Sequence, residues 1–232
     1  PLAHQRRQES TRLAHDLRHL HLPKKKSLTA TECEAKVATR LLHLWQIVSP
    51  AMQIALFDLD GTITYRDTLL PFLLGKLVRR PWQLLRLIRV LPAALRYLLD
   101  RDRGHLKGAL LHATLHGQTH SDLTPWVEEF ASQTVAQRVM PGARIAIDRH
   151  RRAGDRLVLM SASVDLYVPK LGALLGFDAV ICTQVQWFGE VLDGRLAGEN
   201  CRGEEKSRQL AGLRERHPGA SIVAYGNSLS DV

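Results

Sequence analysis

Short apolar runs recur along the chain. Ile54-Ala55-Leu56-Phe57, Leu157-Val158-Leu159-Met160, Ala179 to Thr183 and Ile222-Val223-Ala224-Tyr225 predict buried strands near 53–57, 157–160, 179–183 and 222–225. Helices near 141–153, 165–175 and 204–216 alternate with them, which predicts a parallel, doubly wound α/β sheet with right-handed crossovers. Val185 to Leu196, with Asp193-Gly194 inside it, reads as a hairpin excursion.

Between the first two strands the pattern changes. Residues 67–140 are rich in Leu and Arg, and Pro81 and Pro92 each fit the first turn of a helix. The expected helices lie near 68–79, 82–91 and 93–101, with Gly104 closing the last. Two more are expected near 105–116 and 122–137, the second started by Ser121 or Asp122. Lys76, Arg79, Arg80, Arg86, Arg89 and Arg96 interrupt the apolar stretch, so no run reaches the roughly 18 residues that span a bilayer. The expectation is a soluble helical insert with its Leu face on the core and its arginines in water. The competing reading lays a basic amphipathic face on anionic lipid, with Trp82 and Tyr97 at the interface.

The first strand delivers Asp58-Leu59-Asp60-Gly61-Thr62. Two carboxylates two residues apart, followed by a glycine turn, suit an aspartyl-phosphate mechanism with Mg²⁺, since carboxylates form covalent intermediates and Mg²⁺ favours one or two carboxylates plus phosphate oxygens. Asp58 is then the nucleophile and Asp60 the general acid/base, with Gly61 and Thr62 in the phosphate loop. Taken alone, the same residues also fit a solvated Asx turn. The second strand delivers Ser161-Ala162-Ser163 at its carboxyl end, where a hydroxyl and backbone N–H groups could hold a phosphoryl group. Lys206, in Gly203-Glu204-Glu205-Lys206, could supply fixed positive charge; Arg202 is its nearby competitor. The last apolar run ends in Gly226-Asn227-Ser228-Leu229-Ser230-Asp231.

These four motifs, in this order, resemble the haloacid dehalogenase superfamily of phosphohydrolases, and the Ser-Ala-Ser, Gly-Glu-Glu-Lys and Tyr-Gly-Asn-Ser strings resemble subfamily IB, which includes phosphoserine phosphatase and phosphatidylglycerophosphatase C. The resemblance covers roughly residues 52 to 232. It implies a Rossmann-like core formed by 52–66 and 141–232, and an all-helical cap of the C1 type at 67–140 that closes over the site. It also implies that Asp58 attacks phosphorus, that Asp60 protonates the leaving group and then activates water, and that Ser161 (with Ala162) and Lys206 hold phosphoryl oxygens. Mg²⁺ is expected on the Asp58 carboxylate, the Asp60 carbonyl and the last loop, through Asn227 and Asp231. Asn227 stands where most members have an acid, which removes one negative charge from the metal site. Asp67 stands where phosphoserine phosphatases carry a glutamate for the substrate amine.

Charge and cysteine content refine this picture. The net charge is +9, and residues 65–140 hold 11 basic against 6 acidic side chains, so much of the positive charge lies in the insert. Nucleic-acid binding has charge behind it but no motif, and is not expected. Cys33, Cys182 and Cys201 are scattered without metal-ligand spacing, which fits free thiols and a cytoplasmic setting. Residues 1–51 read as a poorly ordered basic extension, and the stop after Asp231-Val232 reads as a truncated core. The expected activity is hydrolysis of a small-molecule phosphomonoester. The alternatives are a lipid-phosphate phosphatase at the membrane surface and a non-catalytic membrane-peripheral protein that keeps the fold.

Overall fold

The computed structural model describes residues 52–79 and 81–227. The expected extension at 1–51, Asp231 and the truncation after Val232 lie outside the described residues, as do the side chains of Arg80 and Trp82.

Four parallel strands form the central sheet in the order β3-β2-β1-β6: β1 (Gln53–Phe57), β2 (Arg156–Val164), β3 (Ala179–Thr183) and β6 (Ser221–Tyr225). Strand periodicity sends alternate β1 residues to opposite faces. Ala55 and Phe57 pack with Ile147 of α5 (Pro141–Ala153) and with Val168 and Leu171 of α6 (Val168–Leu175). Ile54 and Leu56 pack with Leu210 and Leu213 of α7 (Glu204–Arg216) on the other face. Both faces are therefore covered, as a parallel sheet requires. From β1 the order runs to β2 and β3 on one side and to β6 on the other, so the loops after β1 and β6 diverge from a topological switch point.

The insert comprises α1 (Leu69–Val78), a 3-10 helix (Pro81–Val90), α2 (Leu91–Asp100), α3 (Arg103–Leu115) and α4 (His120–Gln137). It leaves and rejoins the core at one place, where Met140 N–H donates to Ile63 O at 2.8 Å and Tyr65 N–H to Arg138 O at 3.2 Å. The hairpin β4 (Val185–Phe188) and β5 (Val191–Leu196) supports it: Gly117 N–H donates to Leu192 O, and Leu192 N–H to Gln118 O.

Four expectations need correction. The segment expected as an α-helix at 82–91 is 3-10, bounded by Pro81 and Pro92, with exposed Leu85 and Ile88 offering no packing to favour the wider helix. Gly104 does not close α2. Arg101 does, in the left-handed region at φ 57°, because the Asp102 carboxylate accepts His105 N–H and starts α3 at once. Helix α4 starts at His120, earlier than expected, since Thr119 forms a reciprocal capping box with Asp122. Lastly, the Leu face of the insert is not wholly packed on the core. Leu85, Ile88, Leu91, Leu95, Leu98 and Leu99 are 56–87% exposed. No described helix is long and apolar enough to cross a membrane.

Candidate active site

Asp58 follows β1 directly, and its N–H donates to Tyr225 O at 2.9 Å, extending the β1–β6 ladder by one step. The chain then turns tightly: Ile63 and Thr64 N–H both donate to Leu59 O, and Gly61 N–H to Thr64 O. Gly61 has φ +80°, and a Cβ there would sit 2.2 Å from Asn227 Nδ2. The backbone conformation favours a glycine, and any added Cβ would also push the Asn227 amide aside.

The two carboxylates have opposed surroundings. Asp58 Oδ1 lies 2.7 Å from Lys206 Nζ, with the two side chains only 10% and 9% exposed. Among the described residues, no such cation hydrogen-bonds to Asp60. Its Oδ1 accepts from Thr68 N–H and Thr68 Oγ1, both at 2.8 Å, and its Oδ2 accepts from Ser163 Oγ at 2.6 Å. Burial raises the Asp60 pKa above the ordinary carboxylate value, against the lowering effect of the Ser163 and Thr68 donors. Tyr167, fully buried, places its hydroxyl 3.0 Å from Thr68 Oγ1, and desolvation lifts its own pKa well above normal.

Asp58, Asp60, Asp67, Ala162, Lys206 and Asn227 all line one cavity of about 590 Å³. Arg202, the competitor of Lys206, lines it too, but Lys206 is the cation on Asp58. Ser161 lies beneath this surface: it is fully buried, and its Oγ accepts from Ser163 N–H at 3.0 Å. Gly61 shapes the loop, and Thr62 Oγ1 is buried without a hydrogen-bond partner among the described residues. Asp67 is exposed and accepts from Leu70 N–H at the start of α1.

Sequence reading missed Thr68, Ser163, Lys107 and Asn200. Ser163 sits in the Ser-Ala-Ser string and was within reach of it. Lys107 had no local signal. It comes from α3 and donates at 2.6 Å to both Ala162 O and Asn200 Oδ1, and burial pulls its pKa down to about 8. A neighbouring cavity of about 920 Å³ shares Arg103, Asn200 and Arg202 with the site, so the approach to the carboxylates is strongly cationic. Leu69, Leu70, Tyr97, Leu106 and Leu110 give the cavity around Asp58 and Asp60 an apolar wall. Cys182 and Cys201 are buried, with pKa values pushed up by burial to about 12 and about 11, as expected of inert thiols.

Known proteins resemble this chain in sequence and in fold. Protein CicA of Caulobacter vibrioides is 35% identical over 181 residues, covering 76% of this chain and 78% of CicA. Phosphoserine phosphatase SerB1 of Mycobacterium tuberculosis is 24% identical over 188 residues, covering 77% of this chain and 60% of SerB1. A crystal structure from Bordetella pertussis, of a protein described as having unknown function, has the same fold at a TM-score of 0.63 and 21% identity, covering 79% of this chain and 85% of that one. The profile of the haloacid dehalogenase-like hydrolases matches residues 55–232, and the chain belongs to that family.

Proposed function

We propose that this hydrolase is a Mg²⁺-dependent phosphomonoesterase acting through an aspartyl-phosphate on Asp58. The observation that carries the reading is the contrast between the two carboxylates: Asp58 is paired with an ammonium, whereas Asp60 is buried with a raised pKa. Pairs of acids in opposed environments divide nucleophile from proton carrier. Asp58 forms the P–O bond while Asp60 gives its proton to the departing alkoxide. Asp60, now ionised and held by Thr68 and Ser163, takes a proton from the water that cleaves the acyl phosphate. Lys206 balances charge on Asp58 and on the phosphoryl group. The helical insert acts as a cap, and Lys107 ties it to the motif loops.

The residues present fit Mg²⁺. Asp58 and Asn227 line the cavity with oxygen donors, and both Asp60 carboxylate oxygens are already committed, which leaves its main-chain carbonyl for the metal. When bound, the ion would neutralise charge on the phosphoryl oxygens. The phosphoserine phosphatase named among the relatives supports a small phosphomonoester as substrate. The test is Asp58→Asn with an aryl phosphate and Mg²⁺: turnover should vanish while circular dichroism shows the fold retained, with an unfolding midpoint lowered by the loss of the buried ion pair with Lys206. Near-full turnover in the variant would require another nucleophile.

A second reading rests on the exposed face of the insert. Leu85, Ile88, Leu91, Leu95, Leu98 and Leu99 stand beside exposed Arg86, Arg89 and Arg96, and the cavity has an apolar wall. That combination suits a phosphomonoester carried by an anionic bilayer, each arginine contributing about 1 kcal/mol near the surface. Salt-sensitive binding to anionic vesicles, lost when the three arginines become Gln, would favour this reading over a soluble substrate.

A further inference from the structure

Away from the catalytic cavity, α3 and β5 meet at an unusually short distance. Gly194 of β5 has φ +88°, and a Cβ there would lie 2.8 Å from the backbone N and Cα of His112. This approach brings His112, in the last turn of α3, and His116, the residue that caps the helix, against Asp193. His112 Nδ1 lies 2.7 Å from the Asp193 carbonyl oxygen and 3.7 Å from its Oδ1. For His116 Nδ1 the same distances are 3.3 and 3.9 Å, and the two rings are 4.4 Å apart.

The Asp193 side chain is only 7% exposed, yet its other partners are distant: Arg195 N–H at 3.4 Å and Arg195 Nε at 3.5 Å. Burying an ionised carboxylate is costly unless it is compensated at close range. Arg195 offsets that cost at Oδ2, whereas Oδ1 faces only the two imidazoles among the described residues. A tetrahedral ion with bonds of about 2.0–2.1 Å holds its ligand atoms about 3.3 Å apart, and the four nitrogen-to-oxygen distances here straddle that value. We infer that His112, His116 and Asp193 form a divalent transition-metal site of the zinc type, joining the helical insert to the β4–β5 hairpin. Two imidazoles and one carboxylate suit Zn²⁺ and its neighbours, whereas Mg²⁺ takes oxygen donors, so the site differs in chemistry from the catalytic one. In the metal-free protein the His112 ring donates from Nδ1 to the Asp193 carbonyl; ligation through Nδ1 replaces that hydrogen bond and leaves the ring proton on Nε2. Water, or the Asp193 carbonyl, completes the shell.

The position gives the metal a consequence. Helix α3 also carries Lys107, which reaches the motif loops, and His112 lines the larger cavity. A bound ion would hold the mounting of Lys107 against the hairpin. The inference does not depend on the phosphatase reading.

The experiment starts from protein stripped by a chelator, with Mg²⁺ kept in large excess to occupy oxygen sites. Co²⁺ is then titrated and the visible absorption of tetrahedral Co²⁺ is followed, with Zn²⁺ competition and thermal unfolding alongside. One saturable equivalent should appear, Zn²⁺ should displace it, and Zn²⁺ should raise the unfolding midpoint. His116→Ala, at an exposed position, should weaken binding at least about a hundredfold, because even outer-shell changes cost 10–100-fold. Asp193→Asn should do likewise, and Asp58→Asn should leave the site intact. Absence of the tetrahedral spectrum, or equal Zn²⁺ affinity in wild type and His116→Ala, would overturn the inference.

Discussion

Replacing Ser163 with Ala removes the 2.6 Å hydroxyl donor on Asp60 Oδ2 and leaves only the two Thr68 donors on Oδ1. A hydrogen bond to a charged group contributes about 1.5–3 kcal/mol and one between neutral groups about 0.5–1.5 kcal/mol. The loss therefore costs the ionised carboxylate about 1–1.5 kcal/mol more than the neutral acid, or about one pKa unit at 1.36 kcal/mol per unit. The shift is upward and adds to the raise that burial already imposes. In a pH profile of kcat/KM for an aryl phosphate at saturating Mg²⁺, the limb carried by Asp60 should move up by about one unit. Stability supplies a readout independent of activity. An acid whose folded pKa is raised contributes most below its unfolded value, near 3.8, and that contribution is lost as pH rises through the folded value. The penalty of Ser163→Ala in urea denaturation should accordingly be larger at alkaline pH, where Asp60 is ionised, than at acid pH, where it is protonated. Equal penalties at both pH values, together with an unmoved limb, would refute the view that Ser163 stabilises ionised Asp60.

Other perturbations reach neighbouring parts of the site. Asn227→Asp should lower the Mg²⁺ concentration for half-maximal activity several-fold by restoring a charged oxygen ligand; an unchanged or higher value would remove Asn227 from the metal. Gly61→Ala should cost at least about 1–2 kcal/mol from the left-handed backbone alone. It should also raise the Mg²⁺ requirement, because the new methyl displaces Asn227; wild-type stability and Mg²⁺ response would contradict the close approach. Lys107, at about 8 when folded, sheds its proton before the unfolded lysine near 10.5, so stability should rise between those pH values by up to about 3 kcal/mol. In Lys107→Met that rise should disappear from denaturation curves, and its persistence would mean that another group causes it.

The strands and the parallel sheet were legible because each strand is a short apolar run whose pattern reports burial on two faces, whereas the order β3-β2-β1-β6 came from the structure. Asp58 and Asp60 were legible for a related reason: a strand end, two acids and a glycine form a local unit within a few residues. Helix ends were less legible, since Thr119 and Asp102 compete locally with Ser121 and Gly104 as caps, and the outcome depends on which hydrogen bonds can form. The hairpin shows the same limit. Asp193-Gly194 resembles a turn in sequence, yet the turn falls at Gly189, with φ 58°, and Asp193-Gly194 lies within β5 because α3 presses against it.

The sequence by itself determined the pair of acids that ends the first strand, the alternation of strand and helix, and the excess of positive charge in the insert. Only the tertiary structure decided which groups tune those acids. Ser163 reaches Asp60 across 103 residues, and Lys107 reaches Asn200 across 93. It also decided that Ser161 is covered while Ser163 faces the carboxylate, and that the outer leucines of the insert remain in solvent. Periodicity states that a residue has an apolar face but not what lies opposite, and a hydrogen-bond donor is chosen by distance in space, which the chain acquires only when the sheet, the insert and the hairpin close on one another.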